Sequence, residues 1–135
     1  MRAGYPLTVS GSIGAIRTRL PESWECLSTC PFQGWVLQVE PGLHGVQLGA
    51  GYATLMAEKR HNKRFLADVY VGYGVKGIVV RTWGDSPLGP DDQTLAGAEF
   101  SFTVTRVNFS LGTLRRISGR SDRDWAVTYG MGWGF

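Results

Sequence analysis

Two absences frame this sequence. No window of about 18 apolar residues occurs in the 135-residue chain, so a transmembrane helix is excluded. Nor does any segment repeat its apolar residues with the 3.6-residue period of a helix. Side chains that commonly hold metals or carry catalysis are scarce, with two Cys and two His in all. A metal centre is therefore not expected, and neither is another cofactor. No secretory leader opens the sequence. Met1-Arg2-Ala3-Gly4 reads as the start of a trimmed, mature chain, so export is not legible there.

Glycine and aromatic residues are plentiful instead: nineteen Gly, five Trp, five Tyr and six Phe. Glycine is costly inside helices and ordinary strands, so this many within apolar segments imply crowded or sharply curved backbone. The length suits one domain spanning 1–135.

The dominant pattern is strict two-residue alternation. At the carboxyl end Trp125, Val127, Tyr129, Met131, Trp133 and Phe135 alternate with Ala126, Thr128, Gly130, Gly132 and Gly134. Seven further segments, beginning at Tyr5, Trp35, Val46, Phe65, Ile78, Ala96 and Val107, alternate in the same way. A strand turns successive side chains to opposite faces, so the pattern predicts eight strands, each with one bulky apolar face. Tight turns are predicted at His44-Gly45, Lys76-Gly77 and Thr105-Arg106, where the flanking apolar residues keep that face on one side. Longer polar links fall at about 20–33, 59–63, 84–93 and 118–123.

Strands joined by alternating short and long links form a meander, and eight can close into a barrel without a free edge. If the bulky set pointed inward, the narrow interior would be overfilled and the outer surface would be Gly, Ala, Ser and Thr. If it points outward, small and polar residues fill the interior and the exterior is an apolar belt. The fold class predicted is all-β, an eight-stranded antiparallel up-and-down transmembrane β-barrel. Strands of about 10 residues, tilted by about 45°, cross an outer membrane.

The ending Tyr129-Gly130-Met131-Gly132-Trp133-Gly134-Phe135 resembles the carboxyl-terminal assembly signal of Gram-negative outer-membrane β-barrels. Tyr129, Met131, Trp133 and Phe135 match its alternating apolar positions and aromatic last residue. Over essentially the whole chain the eight-segment pattern resembles the small OmpA/OmpX-type barrels. That resemblance implies outer-membrane localisation, recognition by the barrel-assembly machinery and a monomer. It leaves function open, because such barrels include adhesins, enzymes and structural anchors. Short turns and the chain end are then expected on the periplasmic side and longer loops outside. Tyr5, Trp133 and Phe135 fall to a periplasmic aromatic girdle, and Trp35, Phe65 and Trp125 lie near the outer interface.

Four groups of residues are candidates for function. Glu40, Asp68 and Glu99, with Arg81, are expected to form a salt-bridged network plugging the lumen. The alternative is a narrow, porin-like pore for small solutes or ions. Arg17, Arg19, Lys59, Arg60, Lys63, Arg64, Arg115, Arg116, Arg120 and Arg123 are expected at the outer rim. Such a collar suits lipopolysaccharide phosphates, or is simply a solvated surface. Nucleic acid is not an expected partner, because these bases lie beside a membrane. Cys26 and Cys30 have the spacing of a small loop disulfide. A lipid A modifying enzyme needs a His with a nearby Ser at the outer leaflet. His61, in Arg60-His61-Asn62-Lys63, has no Ser two residues away, and His44 sits at a predicted turn. The expectation is a non-enzymatic membrane protein with a structural or surface-interaction role, a pore and lipid A modification being the alternatives.

Overall fold

The computed structural model describes residues 2–19, 29–58, 69–84, 92–119 and 124–133. Among the described residues there is no helix, and the alternating segments form strands: β1 (Arg2–Tyr5), β2 (Thr8–Ser10), β3 (Ile13–Arg19), β4 (Thr29–Gly42), β5 (Gly45–Glu58), β6 (Val69–Thr82), β7 (Gln93–Val104), β8 (Val107–Ser118) and β9 (Trp125–Trp133). From β4 to β9 each strand pairs antiparallel with the next. β1 pairs with both β9 and β2, and β2 reaches β4 at Ser10↔Gly42. Hydrogen bonding therefore runs around a closed ring. β2 and β3 lie end to end along β4 and serve as one stave, which makes eight staves in all.

The register fixes the ring's dimensions. A path perpendicular to the strands runs from Phe32 through Leu55, Gly72, Thr103, Asn108, Gly132, Arg2 and Ser10, and returns to β4 at Gly42, ten residues further along. A stagger of ten over eight strands corresponds to a tilt of about 43° and a radius of about 8 Å. That radius holds one layer of side chains. Crowding is accordingly severe where strands meet: a Cβ added to Gly97 would lie 1.8 Å from the Thr113 carbonyl oxygen, and one on Gly51 would lie 2.1 Å from that of Val75.

Three departures from expectation have physical causes. Lys76-Gly77 is not a turn, because β6 continues through it for 14 residues, paired on both sides. Inside the ring the Lys76 ammonium meets a carboxylate, which removes the reason for the chain to turn there. Placing a turn at that point had inverted the faces of the following segment: Ile78, Val80 and Thr82 point inward and are buried, and Arg81 points out. The count of eight survives because the first predicted strand is itself broken. Pro6 and Leu7 form a turn that folds β1 back on β2. The β4–β5 turn is Leu43-His44, between the paired Gly42 and Gly45, a one-residue shift that leaves the faces unchanged.

These changes redistribute the two ends. One end, the carboxyl-terminal end, carries the starts of β4 and β6, the end of β5, the Thr105-Arg106 turn and Trp133. The opposite end carries the turns at Pro6-Leu7 and Leu43-His44, the end of β6, the start of β7 and the β8–β9 connection. Short and long links are thus mixed at both ends, instead of being sorted as expected.

Outside, the ring is apolar. Among the described residues the exposed large hydrophobics include Trp35, Leu37, Val75, Leu111, Tyr129 and Trp133, and only Leu7, Ile78, Val80, Leu95 and Leu114 form a buried apolar core.

Candidate interior site

The interior is divided into three layers. The middle layer is ionic. From β1 the Arg2 guanidinium reaches across the ring, donating to the Glu40 carboxylate at 2.9 Å and to the Glu99 carboxylate at 2.8 Å. From β6 the Lys76 ammonium lies 2.8 Å from the other Glu99 oxygen and also bonds the Gln38 side chain. Ser10 donates to Glu40, Gln38 Nε2 donates to Glu40 at 3.2 Å, and Arg2 also bonds Ser110. Two cations and two carboxylates, carried by β1, β4, β6 and β7, therefore compensate one another. The Glu99 and Glu40 side chains are 0% and 1% exposed, so each charge is withdrawn from water and depends on these partners.

Below this layer, toward the opposite end, the interior is apolar. Ile78 and Val80 follow Lys76 along β6, Leu95 precedes Glu99 along β7, and Leu114 follows Ser110 along β8. All are displaced in the same direction, and they pack with Leu7 and against Ala126. Buried Thr82 and Gln93 lie beyond them. Above the layer, toward the carboxyl-terminal end, lies a cavity of about 250 Å³. Arg2, Gln38 and Lys76 line its floor, and Ser101, Thr103 and Asn108 line its wall. Ile16 and Leu55 lie higher, and Trp133 also lines it. Asn108 Nδ2 donates to Thr103 Oγ1 at 2.8 Å. The small residues Ser12, Gly14, Ala53, Gly74 and Gly132 leave the space open.

The expected lumen network is thus assembled around a different set. Glu40 and Glu99 meet inside. Arg81 does not join them: its side chain is 47% exposed on the outer face, 3.5 Å from Asp92 and donating to Thr94 Oγ1 at 2.9 Å. Asp68 lies outside the described residues. The cations that do the neutralising, Arg2 and Lys76, were missed. Neither gave a local signal: Gly77 on the large set and Ile78 and Val80 on the small set break the alternation after Lys76, and at Arg2 four residues before a turn show no periodicity.

Of the expected basic rim, only part falls among the described residues. Arg115 and Arg116 sit near the end of β8, at the opposite end from Glu58 and Val69, the strand ends between which 59–68 lie. Arg116 bonds the Asp124 carboxylate, and the Arg115 guanidinium lies 5.8 Å from the centre of the Trp125 ring. Lys59, Arg60, His61, Lys63, Arg64, Arg120 and Arg123 lie outside the described residues. Cys30 is the second residue of β4 rather than a loop residue. Cys26, and hence the disulfide, also lies outside them. Trp35 and Trp125 fall on opposite sides of the ionic layer, not at one interface, and Tyr5 stacks on Tyr129 at 6.0 Å, away from Trp133. Tyr129, Met131 and Trp133 face outward as their alternation requires, and Phe135 lies outside the described residues. His44 Nδ1 lies 3.3 Å from Thr8 Oγ1.

Comparison with protein-family models, with curated protein sequences and with solved structures gives no match.

Proposed function

We propose that this chain is an integral outer-membrane β-barrel, closed to solute flow, with a structural or surface-interaction role. The observation that carries the reading is the inversion of the ring: large apolar side chains cover its outside while a compensated ionic layer fills its middle. In water such a belt would drive aggregation, whereas in a bilayer it is the solvated face. The belt's height also supports the reading. Strands tilted by about 43° advance about 2.4 Å per residue along the axis, so the register separates Trp35 and Tyr73 from Trp83 and Trp125 by about 25 Å. That is the usual height of the apolar band between aromatic girdles.

The apolar layer of Leu7, Ile78, Val80, Leu95 and Leu114 favours a closed interior over a porin-like pore. With the chain terminus periplasmic, as the resemblance of its last residues implies, the apolar layer faces outward and the cavity opens to the periplasm. Of the described rim residues, Arg115 and Arg116 then fall at the outer interface, and lipopolysaccharide contact narrows to them. The test is fractionation and electrophoresis. The chain should stay with urea-washed outer membranes, need detergent for extraction, and migrate differently before and after boiling. A chain soluble and monomeric without detergent overturns the reading.

A further inference from the structure

The cavity above the ionic layer is amphipathic, with a floor that presents donors and two walls of opposite character. Arg2 and Lys76 are among its described lining residues, and Glu40 and Glu99 are not. Side-chain exposure is 11% and 10% for the cations against 1% and 0% for the carboxylates, so the layer turns its positive groups toward the space and hides its acceptors. The Lys76 ammonium spends two of its three N–H groups on Glu99 and Gln38, which leaves one for the cavity. Ser101 is the next inward residue above Glu99 on β7, and Asn108 lies on β8 opposite Thr103. Asn108 donates one amide hydrogen to Thr103, and its Oδ1 remains an acceptor. The register holds Lys76, Ser101 and Asn108 within about 4 Å of one level. Diametrically across the ring, Ile16 on β3 and Val36 on β4 make the apolar wall, with Leu55 beside them on β5. At about 2.4 Å of axial advance per residue, Val36, Ile16 and Leu55 stand about 6, 9 and 13 Å above Lys76.

That arrangement selects an occupant. Water suits only half of the space, because a buried water needs about two to four polar partners and the apolar wall has none to give. A cation is repelled by the floor. A carboxylate fails on charge balance: the two cations and two carboxylates of the layer already cancel, so a third carboxylate would bring an uncompensated charge beside Glu99. A neutral head that both accepts and donates fits. The carbonyl of an amide accepts from Lys76, and its N–H donates to Asn108 Oδ1 or Ser101 Oγ. The volume sets the size. About 250 Å³, at about 30 Å³ for each water-sized group, holds about eight non-hydrogen atoms, which is a six-carbon acyl chain with its amide. Such a chain extends from the floor to the level of Ile16.

We propose that this cavity binds a small, uncharged acyl amide, its head on Lys76, Ser101 and Asn108 and its chain along Val36 and Ile16. The fit is that of a ligand pocket, a few convergent polar groups set against an apolar wall. The site belongs to the interior of the ring, so it goes beyond the membrane reading without depending on it.

The test titrates hexanamide into the chain in lipid nanodiscs, followed by nuclear magnetic resonance of the Asn108 side-chain amide and the Val36 and Ile16 methyl groups. Saturable one-to-one shifts are expected, with nuclear Overhauser contacts from the terminal methyl of the ligand to Ile16. Hexanoate should bind at least ~10-fold more weakly. Ser101→Phe, which fills the space above the floor, should abolish the shifts while the compact electrophoretic form persists; Ala53→Leu fills the same cavity should the first variant not fold. The proposal is overturned by the absence of saturable shifts, which would mean a hydrated cavity only, by hexanoate binding as tightly as hexanamide, or by binding that survives the filled cavity. A chain soluble without detergent would instead remove the membrane reading, and the same titration in buffer would decide the site.

Discussion

Glu99→Gln is the sharpest probe of the ionic layer, because Glu99 touches both cations and is wholly buried. At 2.8 Å and an effective dielectric of about 20, each contact has a gross attraction of about 6 kcal/mol, most of it offset by the cost of removing the ions from water. Replacing the carboxylate by an amide forfeits the attraction and leaves the cost. Glu40 would remain bonded to Arg2, while Lys76 would lose the carboxylate it contacts. Breaking a buried pair from one side typically costs about 3–5 kcal/mol, and that loss is expected here. Lys76→Met should cost less, because Glu99 keeps Arg2. The double variant should cost less than the sum of the two, by about 1.5 kcal/mol or more, since neither change then strands the other group. Urea unfolding in phospholipid vesicles, followed by tryptophan fluorescence, measures all three. A Glu99→Gln effect below about 0.5 kcal/mol, or strict additivity, would refute a role for charge compensation in holding the ring.

Gly97→Val should abolish the compact electrophoretic form, because its Cβ has no room beside Thr113, whereas Gly77→Ala, whose nearest neighbour would lie 3.8 Å away, should fold normally. In planar bilayers the wild-type chain should show no steady conductance; the triple change Val80→Ser, Leu95→Ser, Leu114→Ser should produce leak events, and steady wild-type channels would overturn the closed interior. Arg115→Glu should lower lipopolysaccharide co-purification several-fold while leaving the unfolding midpoint in place, since the guanidinium lies on the outer face over Trp125; unchanged binding would remove the narrowed lipopolysaccharide proposal.

Alternation was legible because one face of each strand is large and the other small, and that contrast survives any error in where a strand begins. It identified the outward set around most of the ring, from Trp35 to Trp133, and the inward Glu40 and Glu99. It failed where a decision about one turn propagated. A Lys-Gly pair between apolar residues has the composition of a hairpin, and nothing local distinguishes it from a lysine pointing into a lumen. What distinguishes them is Glu99, 23 positions away in sequence and 2.8 Å away in space. Once the turn is accepted, parity inverts, Val80 moves to lipid and Arg81 moves inside, and the apolar layer that closes the interior disappears from view. The same dependence explains Arg2. Its role follows from the closure of the ring, which brings β1 beside β9 and opposite β4, and closure belongs to the whole sheet, not to any segment of it. Periodicity therefore reports which way a side chain points, whereas the partner of a buried charge is set by the stagger of ten residues that brings distant strands to one level. An ionisable residue on the small face of an alternating segment is best treated as interior until a partner is sought across the ring, and the search should precede any decision to turn the chain there.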